Sequence, residues 1–188
     1  MQALRGILKK LAGGDRRSIG RADEVVAEVL ARPALFRALF QGLSCDDYVV
    51  QMRAADAIEK ITRERPELLG PYRKRVLEIA ASAEEKELRW HMALMLPRLR
   101  TTVRERAAAV DILHAYLKDA SSSIVRTCAM QGLADFARED QRLRKRVVPM
   151  IEELTEIGTP AMRARGRNLL KQMKRLASER DRTLQKTT

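Results

Sequence analysis

Apolar residues recur along this chain with the spacing of an α-helix, and the whole pattern occurs four times. The copies are VVQMRAADAIEKI (49–61), ELRWHMALMLPRL (87–99), IVRTCAMQGLADF (124–136) and AMRARGRNLLKQM (161–173). Each copy carries apolar or small residues 0, 4, 7, 8 and 11 positions after its first core residue. At about 100° per residue these positions form one stripe, so each copy is predicted to be a helix with one buried side.

The positions of this stripe are called the core positions below. Their first members lie 38, 37 and 37 residues apart along the chain. The four sets are Val50, Ala54, Ala57, Ile58 and Ile61; Leu88, Met92, Met95, Leu96 and Leu99; Val125, Ala129, Gly132, Leu133 and Phe136; and Met162, Gly166, Leu169, Leu170 and Met173. One amphipathic helix is ordinary, whereas four in register at a nearly constant period indicate a repeat architecture.

A further helix is predicted ahead of each copy, over roughly residues 33–43, 67–82, 102–118 and 142–157. N-cap residues, first-turn acids and an N1 proline then mark the start of the second helix in each unit. These signals are Asp46-Asp47, Glu84-Glu85, Ser121-Ser122 and Thr159-Pro160. A single helical hairpin cannot bury its apolar stripe alone, so the hairpins are predicted to stack into an all-α solenoid.

The predicted organisation has three parts. Residues 1–32 form N-terminal capping helices, over about 3–12 and 21–31. Residues 33–177 form the repeat array, with units 33–64, 67–100, 102–139 and 142–177. Residues 178–188 lack apolar periodicity and are predicted to be a flexible basic tail.

The repeats resemble HEAT repeats. In that family the second helix typically carries a Val-Arg pair followed by small and aliphatic residues, and the equivalents here are Leu88-Arg89, Val125-Arg126 and Met162-Arg163. The first unit departs from the pattern, with Gln51 in the arginine column. The resemblance covers residues 33–177 and implies a solenoid of about four HEAT-like hairpins. It says little about function, because HEAT families include scaffolds, transport adaptors, bilin-lyase relatives and DNA alkylpurine glycosylases.

A second set of positions on the repeat helices points away from the core stripe, and the resemblance implies that it lines a concave surface. We call it the inner face, and it comprises the residues 2, 3, 6, 9, 10 and 13 positions after each first core residue. In the second unit it carries Trp90, His91 and Leu94, an apolar and aromatic patch. Trp90 is expected either to be an exposed anchor for a partner or to fill the seam between repeats. The inner-face cations proposed to flank this patch are Arg53, Arg98 and Arg138.

Positive charge is concentrated at the two ends of the chain. The net charge is +12, divided into +5 for residues 1–21, −1 for 22–141 and +8 for 142–188. Candidate polyanion-binding residues in the last repeat helix are Arg163, Arg165, Arg167, Lys171, Lys174 and Arg175. Such a stripe either neutralises phosphates or simply keeps the last helix of a stack polar.

Signals for catalysis and metal binding are missing from the sequence. It has two histidines, two distant cysteines, no HExxH or GxSxG motif and no Gly-rich phosphate loop. We therefore predict no catalytic residues, no metal ligands and no cofactor. No apolar run approaches the length of a membrane span, and the cysteine usage fits a reducing, cytoplasmic location.

The sequence favours a non-enzymatic interaction or scaffold module that binds an acidic protein or peptide on its concave face. The alternative is a nucleic-acid-binding protein that contacts phosphates. A relative of the HEAT-like DNA glycosylases is less favoured, since those enzymes use concave aromatics and a catalytic aspartate. Here Trp90 is the one aromatic residue on the inner face, and Asp56 and Asp135 match no such motif.

Overall fold

The computed structural model describes residues 6–15 and 17–186, and all the regular structure in these two ranges is helical. The α-helices are α1 (Ala22–Ala31), α2 (Phe36–Gln41), α3 (Tyr48–Glu64), α4 (Arg73–Ser82), α5 (Lys86–Met95), α6 (Val103–Lys118), α7 (Ser123–Ala137), α8 (Gln141–Ile157) and α9 (Pro160–Lys186). Short 3-10 segments span Gly6–Leu11, Pro33–Leu35, Gly42–Ser44, Pro66–Tyr72 and Leu96–Arg98. The predicted all-α fold class is confirmed.

The four copies of the repeat coincide with α3, α5, α7 and α9. Of the twenty core positions, all are buried except Leu170, which is partly buried and packs against the core. The second helix of the second unit is the shortest α-helix of the four, because Pro97 follows Met95 and the chain continues as a 3-10 turn. The apolar period therefore predicts the buried side of every repeat helix.

The predicted helix starts are present with their capping bonds in three of four cases. The Asp47 carboxylate accepts from the Val49 and Val50 amides, and Ser122 Oγ accepts from Val125. Thr159 Oγ1 accepts from Met162, directly before the first residue of α9, Pro160. Glu85 occupies the N-cap position of α5 without a side-chain cap bond.

The helices of the repeat copies contact one another in chain order. α3 contacts α5, α5 contacts α7 and α7 contacts α9, while α6 packs on α7 and α8 packs on α9. Small core residues allow the closest of these approaches: a Cβ on Gly132 would lie 2.5 Å from the carbonyl oxygen of Ala93. Gly166 leaves the equivalent space for Thr155. Gly132 thus lets α7 approach α5 closely, and Gly166 lets α9 approach α8.

The two ends of the chain differ from the sequence prediction. The first capping helix is a 3-10 segment, Gly6–Leu11, and the part of it predicted at residues 3–5 lies outside the described residues. α9 continues to Lys186, so most of the predicted flexible tail is helical, while residues 187 and 188 are not described. Its residues are largely good helix formers, which extend a helix without an apolar stripe. Within the described ranges, no helix is both long enough and apolar enough to cross a membrane.

Candidate binding surface on the inner face

Exposure of the inner face changes along the chain. In α3, Arg53 and Glu59 are buried, and in α7, Thr127, Cys128 and Ala134 are buried. In α9 every inner-face position is exposed: Ala164, Arg165, Asn168, Lys171, Gln172 and Arg175. Each earlier repeat helix has a helical neighbour on both sides, whereas the main packing partners of α9 among the described residues are α7 and α8. The accessible part of the inner face is therefore its C-terminal part.

Trp90 and Leu94 are partly buried and pack against the hydrophobic core. The Trp90 ring stacks on His91, with ring centroids 3.8 Å apart and planes inclined by 27°. Trp90 therefore packs partly against its own chain and keeps part of its surface accessible. Its role as an anchor for a partner or as a seam residue stays a prediction.

His91 was expected on the exposed surface, and the structure corrects this. Its exposed fraction is 2 %, because α3 and α7 pack on both sides of α5. Burial lowers the pKa of His91 to about 4, so the imidazole is neutral at neutral pH. Its Nδ1 atom is buried with no hydrogen-bond partner in the described part of the chain. His91 therefore cannot supply charge to a partner on this surface.

Arg53 is a second correction, because it is also 2 % exposed. Its guanidinium donates to the backbone carbonyls of Leu11 (2.8 Å), Gly13 (2.7 Å), Asp15 (2.9 Å) and Ser18 (3.0 Å). Gly20, at φ +56°, leaves room for it, since a Cβ there would lie 2.7 Å from Arg53 Cζ. The N-terminal segment covers this position, and Arg53 organises that segment.

Arg98 is partly buried and held by α3. It donates to the Glu59 carboxylate, to the Glu59 carbonyl oxygen at 2.6 Å and to Thr62 Oγ1 at 3.1 Å. Arg63 donates to the same carboxylate at 2.6 Å. Burial alone would raise the pKa of Glu59, but the bonds from Arg98 and Arg63 outweigh it, so this pKa lies below its ordinary value. The charge of Arg98 is thus neutralised within the chain.

The groove between α7 and α9 has a different character. Its volume is 350 Å³, and its lining is Thr127, Gln131, Ala161, Ala164, Arg165, Asn168, Leu169 and Gln172. Arg165 donates to Gln131 at 2.8 Å across the groove, and Arg138 donates to Gln172 at 3.1 Å. Both arginines are exposed. Three side-chain amides and two guanidinium groups therefore line or border an open groove.

The acid of this region is Asp135. Its carboxylate lies 3.3 Å from Arg138 Nε and accepts from Gln131 at 3.0 Å. Burial raises the pKa of Asp135, in contrast to the lowered pKa of Glu59. One partly buried carboxylate thus faces a surface on which Arg138 and Arg165 remain exposed, and the groove keeps a positive balance.

The six polyanion-binding candidates of α9 are all exposed. Arg163 Nε donates to the Gly158 carbonyl oxygen at 2.8 Å, and Arg175 lies 3.5 Å from Glu179.

Sequence reasoning did not single out Glu59, Gln131, Asn168 or Gln172, although all four fall in inner-face columns. Their spacing along the helices predicts that all four lie on the inner face. The packing of neighbouring helices then buries Glu59, whereas Gln131, Asn168 and Gln172 line the groove.

Features of catalysis are scarce on this surface. Burial raises the pKa of the Cys128 thiol to about 11, which keeps it protonated and weakly nucleophilic. No group of three His, Cys, Asp or Glu residues that could hold a metal ion is found in the described ranges. Comparison with known protein families, curated proteins and solved structures finds no match to this chain. Its function is therefore inferred from the inner face itself.

Proposed function

We propose that the protein is a HEAT-like α-solenoid that acts as a non-enzymatic interaction module for an acidic protein segment. Three observations support the solenoid. The apolar pattern repeats with steps of 38, 37 and 37 residues, the core positions are buried, and the repeat helices contact one another in chain order. Stacked hairpins of this kind present an extended surface built from one position per repeat.

The proposed binding site is the groove between α7 and α9. The observation that carries it is the contrast in exposure of the cations along the inner face. Arg53 and Arg98 are bound by carbonyl oxygens and by Glu59, whereas Arg138 and Arg165 border an open groove and stay exposed. Cations that the chain leaves accessible favour a partner with carboxylates.

An extended segment suits the groove better than a preformed helix. Asn168 lines the groove with an amide that has no hydrogen-bond partner among the described residues, and an amide can both donate and accept, which matches the alternating N–H and C=O groups of a peptide backbone. Arg165 and Arg138 lie where acidic side chains of such a segment would be paired. Helix backbones satisfy their own hydrogen bonds and would leave the Asn168 amide without a backbone partner.

The test is a titration of the protein into a labelled poly-glutamate peptide, followed by fluorescence anisotropy. We expect the double variant Arg138→Gln/Arg165→Gln to weaken binding about tenfold, since each exposed ion pair contributes up to about 1 kcal/mol. The matched control is Arg104→Gln/Lys118→Gln, which removes two exposed cations from α6. Equal weakening by both double variants would show that net charge, and not the groove, is responsible.

The amide side chains allow a second check of the same site. Asn168→Ala leaves the net charge unchanged and removes one backbone-matching group from the groove. We expect it to weaken binding of a mixed Glu/Ala peptide by a few-fold, because a lost uncharged hydrogen bond is worth about 0.5–1.5 kcal/mol. Unchanged affinity for Asn168→Ala would refute the extended-segment pose.

A further inference from the structure

We propose that a line of cations on α9 is a docking surface for the phosphate backbone of duplex nucleic acid. This line, the basic ridge, consists of Arg163, Arg167, Lys171 and Lys174. It is a function separate from the groove, which is bordered by Arg138 and Arg165. The inference rests on the spacing, exposure and lack of charge compensation of the four side chains.

The spacing places the ridge along one side of the helix. Its members are separated by four, four and three residues, so they follow one another on successive turns. At about 1.5 Å per residue the ridge is about 16 Å long. The core positions Met162, Leu169 and Met173 are buried on another side, and all four ridge residues are exposed.

Charge on the ridge is not neutralised by the helix that carries it. No Asp or Glu occurs between Pro160 and Ser178. Among the described residues, the side chains of Arg167, Lys171 and Lys174 make no hydrogen bond or ion pair, and Arg163 donates to the carbonyl oxygen of Gly158.

Several surface cations elsewhere are paired with acids, and those without a partner in the described ranges, such as Arg104 and Lys118 in α6, lie fourteen residues apart and not on successive turns. Lys10 binds Glu28 at 2.7 Å, and Lys60 binds Asp23 at 2.7 Å. The ridge residues all lie on α9, along one side of that helix. A duplex would therefore contact the ridge along one strand.

The regular array fits nucleic acid better than a membrane. A strand of a duplex presents one phosphate about every 3.4 Å, or about five along a ridge of this length. A helix that lies on a membrane needs an exposed apolar side. On α9, Leu169 and Met173 are buried, and Leu170 and Leu176 are partly buried. From Arg163 to Arg175 the exposed positions are polar except for Ala164, so binding would be electrostatic and independent of base sequence.

The experiment measures the salt dependence of binding to a labelled, mixed-sequence DNA duplex by fluorescence anisotropy. Four phosphate contacts predict a slope of log K against log salt of about −3.6. The double variant Lys171→Gln/Lys174→Gln should reduce its magnitude by about 1.8. The charge-matched control Arg104→Gln/Lys118→Gln and the groove variant Arg138→Gln/Arg165→Gln should leave it unchanged. The experiment can therefore contradict the proposed peptide site in the groove without contradicting the proposed duplex site on the ridge, and the reverse.

Three outcomes would overturn the ridge. One is no duplex binding at about 50 mM salt, where phosphate contacts are strong. Another is an equal change of slope in ridge and control variants. A third is tighter binding of phosphatidylserine vesicles or poly-glutamate than of duplex, with the same sensitivity to the ridge variants. Lys171→Arg/Lys174→Arg keeps the charge and should keep the wild-type slope, which separates a lost contact from a disturbed fold.

Discussion

The inner face of the first two repeat helices and the inner face of the last one use similar residues for different purposes. In α3 and α5, Arg53 binds four backbone carbonyls and Arg98 binds the buried Glu59. In α9, Arg165 and Lys171 occupy the same face and stay exposed. The difference lies in the neighbours, because α3 is covered by the N-terminal segment and by α5, whereas α9 ends the packing order.

This comparison teaches that the neighbours of a repeat helix decide whether an inner-face cation stabilises the fold or faces solvent. A buried cation must be hydrogen-bonded or paired, and its removal leaves its partners unsatisfied. An exposed cation contributes little to stability and is available to a partner. Substitutions at equivalent columns of the two regions should therefore differ strongly in their effect on the free energy of unfolding.

The largest effect is expected for Arg53→Met. The substitution keeps an apolar stem but leaves the carbonyls of Leu11, Gly13, Asp15 and Ser18 without their donor. We expect a loss of about 3 kcal/mol in the free energy of unfolding, measured by urea denaturation. The control Arg138→Met removes an exposed cation and should cost less than about 0.5 kcal/mol. Similar losses of unfolding free energy for Arg53→Met and Arg138→Met would contradict the difference between buried and exposed inner-face cations.

The second effect concerns pH and His91. The pKa of His91 is about 4 in the fold and near 6.5 in the unfolded chain, so the unfolded chain binds more protons between these values. Stability contributed by the neutral, buried imidazole is complete above pH 6.5 and is lost as the pH falls toward 4. The loss across this window is about 3 kcal/mol.

The variant His91→Gln lacks this titration. Its free energy of unfolding should fall less steeply than that of the wild type between about pH 6.5 and about pH 4. Urea denaturation at several pH values within the window measures both slopes. Parallel slopes for variant and wild type would mean that His91 is solvated in the folded protein and that the α3–α5–α7 seam is open.

The third effect compares one acid from each region. Glu59→Gln removes the charge that Arg98 and Arg63 share, and we expect it to cost about 2 kcal/mol at neutral pH. Asp135→Asn removes a charge whose pKa is raised by burial, so it should be neutral or stabilising. Thermal or urea unfolding of the two variants measures this contrast. A destabilising Asp135→Asn would mean that this carboxylate is paired as fully as that of Glu59.

How far the sequence predicts the structure also differs between the core and the inner face. Burial at the core positions follows from the apolar period alone, and so do the caps at Asp47 and Ser122 from their residue types. Burial of Arg53 and His91 could not be predicted, because it depends on segments far away in the chain. Arg53 is covered by carbonyls more than thirty residues earlier, and no local pattern records that contact.

The groove between α7 and α9 also could not be predicted from the sequence. Gln131 and Asn168 are in inner-face columns, but only the packing of α7 against α9 brings them to one groove. Charge on α9 was evident from the sequence as the stripe through Arg163 and Lys171. The sequence alone could not show whether acidic side chains from other helices pair with these cations. In the described residues, Arg167, Lys171 and Lys174 have no such partner.

The smallest effect tests whether the ridge exists at the expense of stability. Lys171 lies four residues from both Arg167 and Arg175, so these like charges repel one another along α9. Lys171→Glu should convert both repulsions into i,i+4 pairs and raise the free energy of unfolding by about 0.5 kcal/mol, while duplex binding falls. Lys60→Glu is the counterpart in α3, where Asp56 and Asp23 lie 2.9 Å and 2.7 Å from the ammonium group, and it should destabilise. Opposite signs for the two reversals, measured by urea denaturation, would mean that α3 uses its cations for its own fold while α9 keeps them for a partner. If Lys171→Glu also destabilises, Lys171 is already paired in solution, and the ridge loses one of its phosphate contacts.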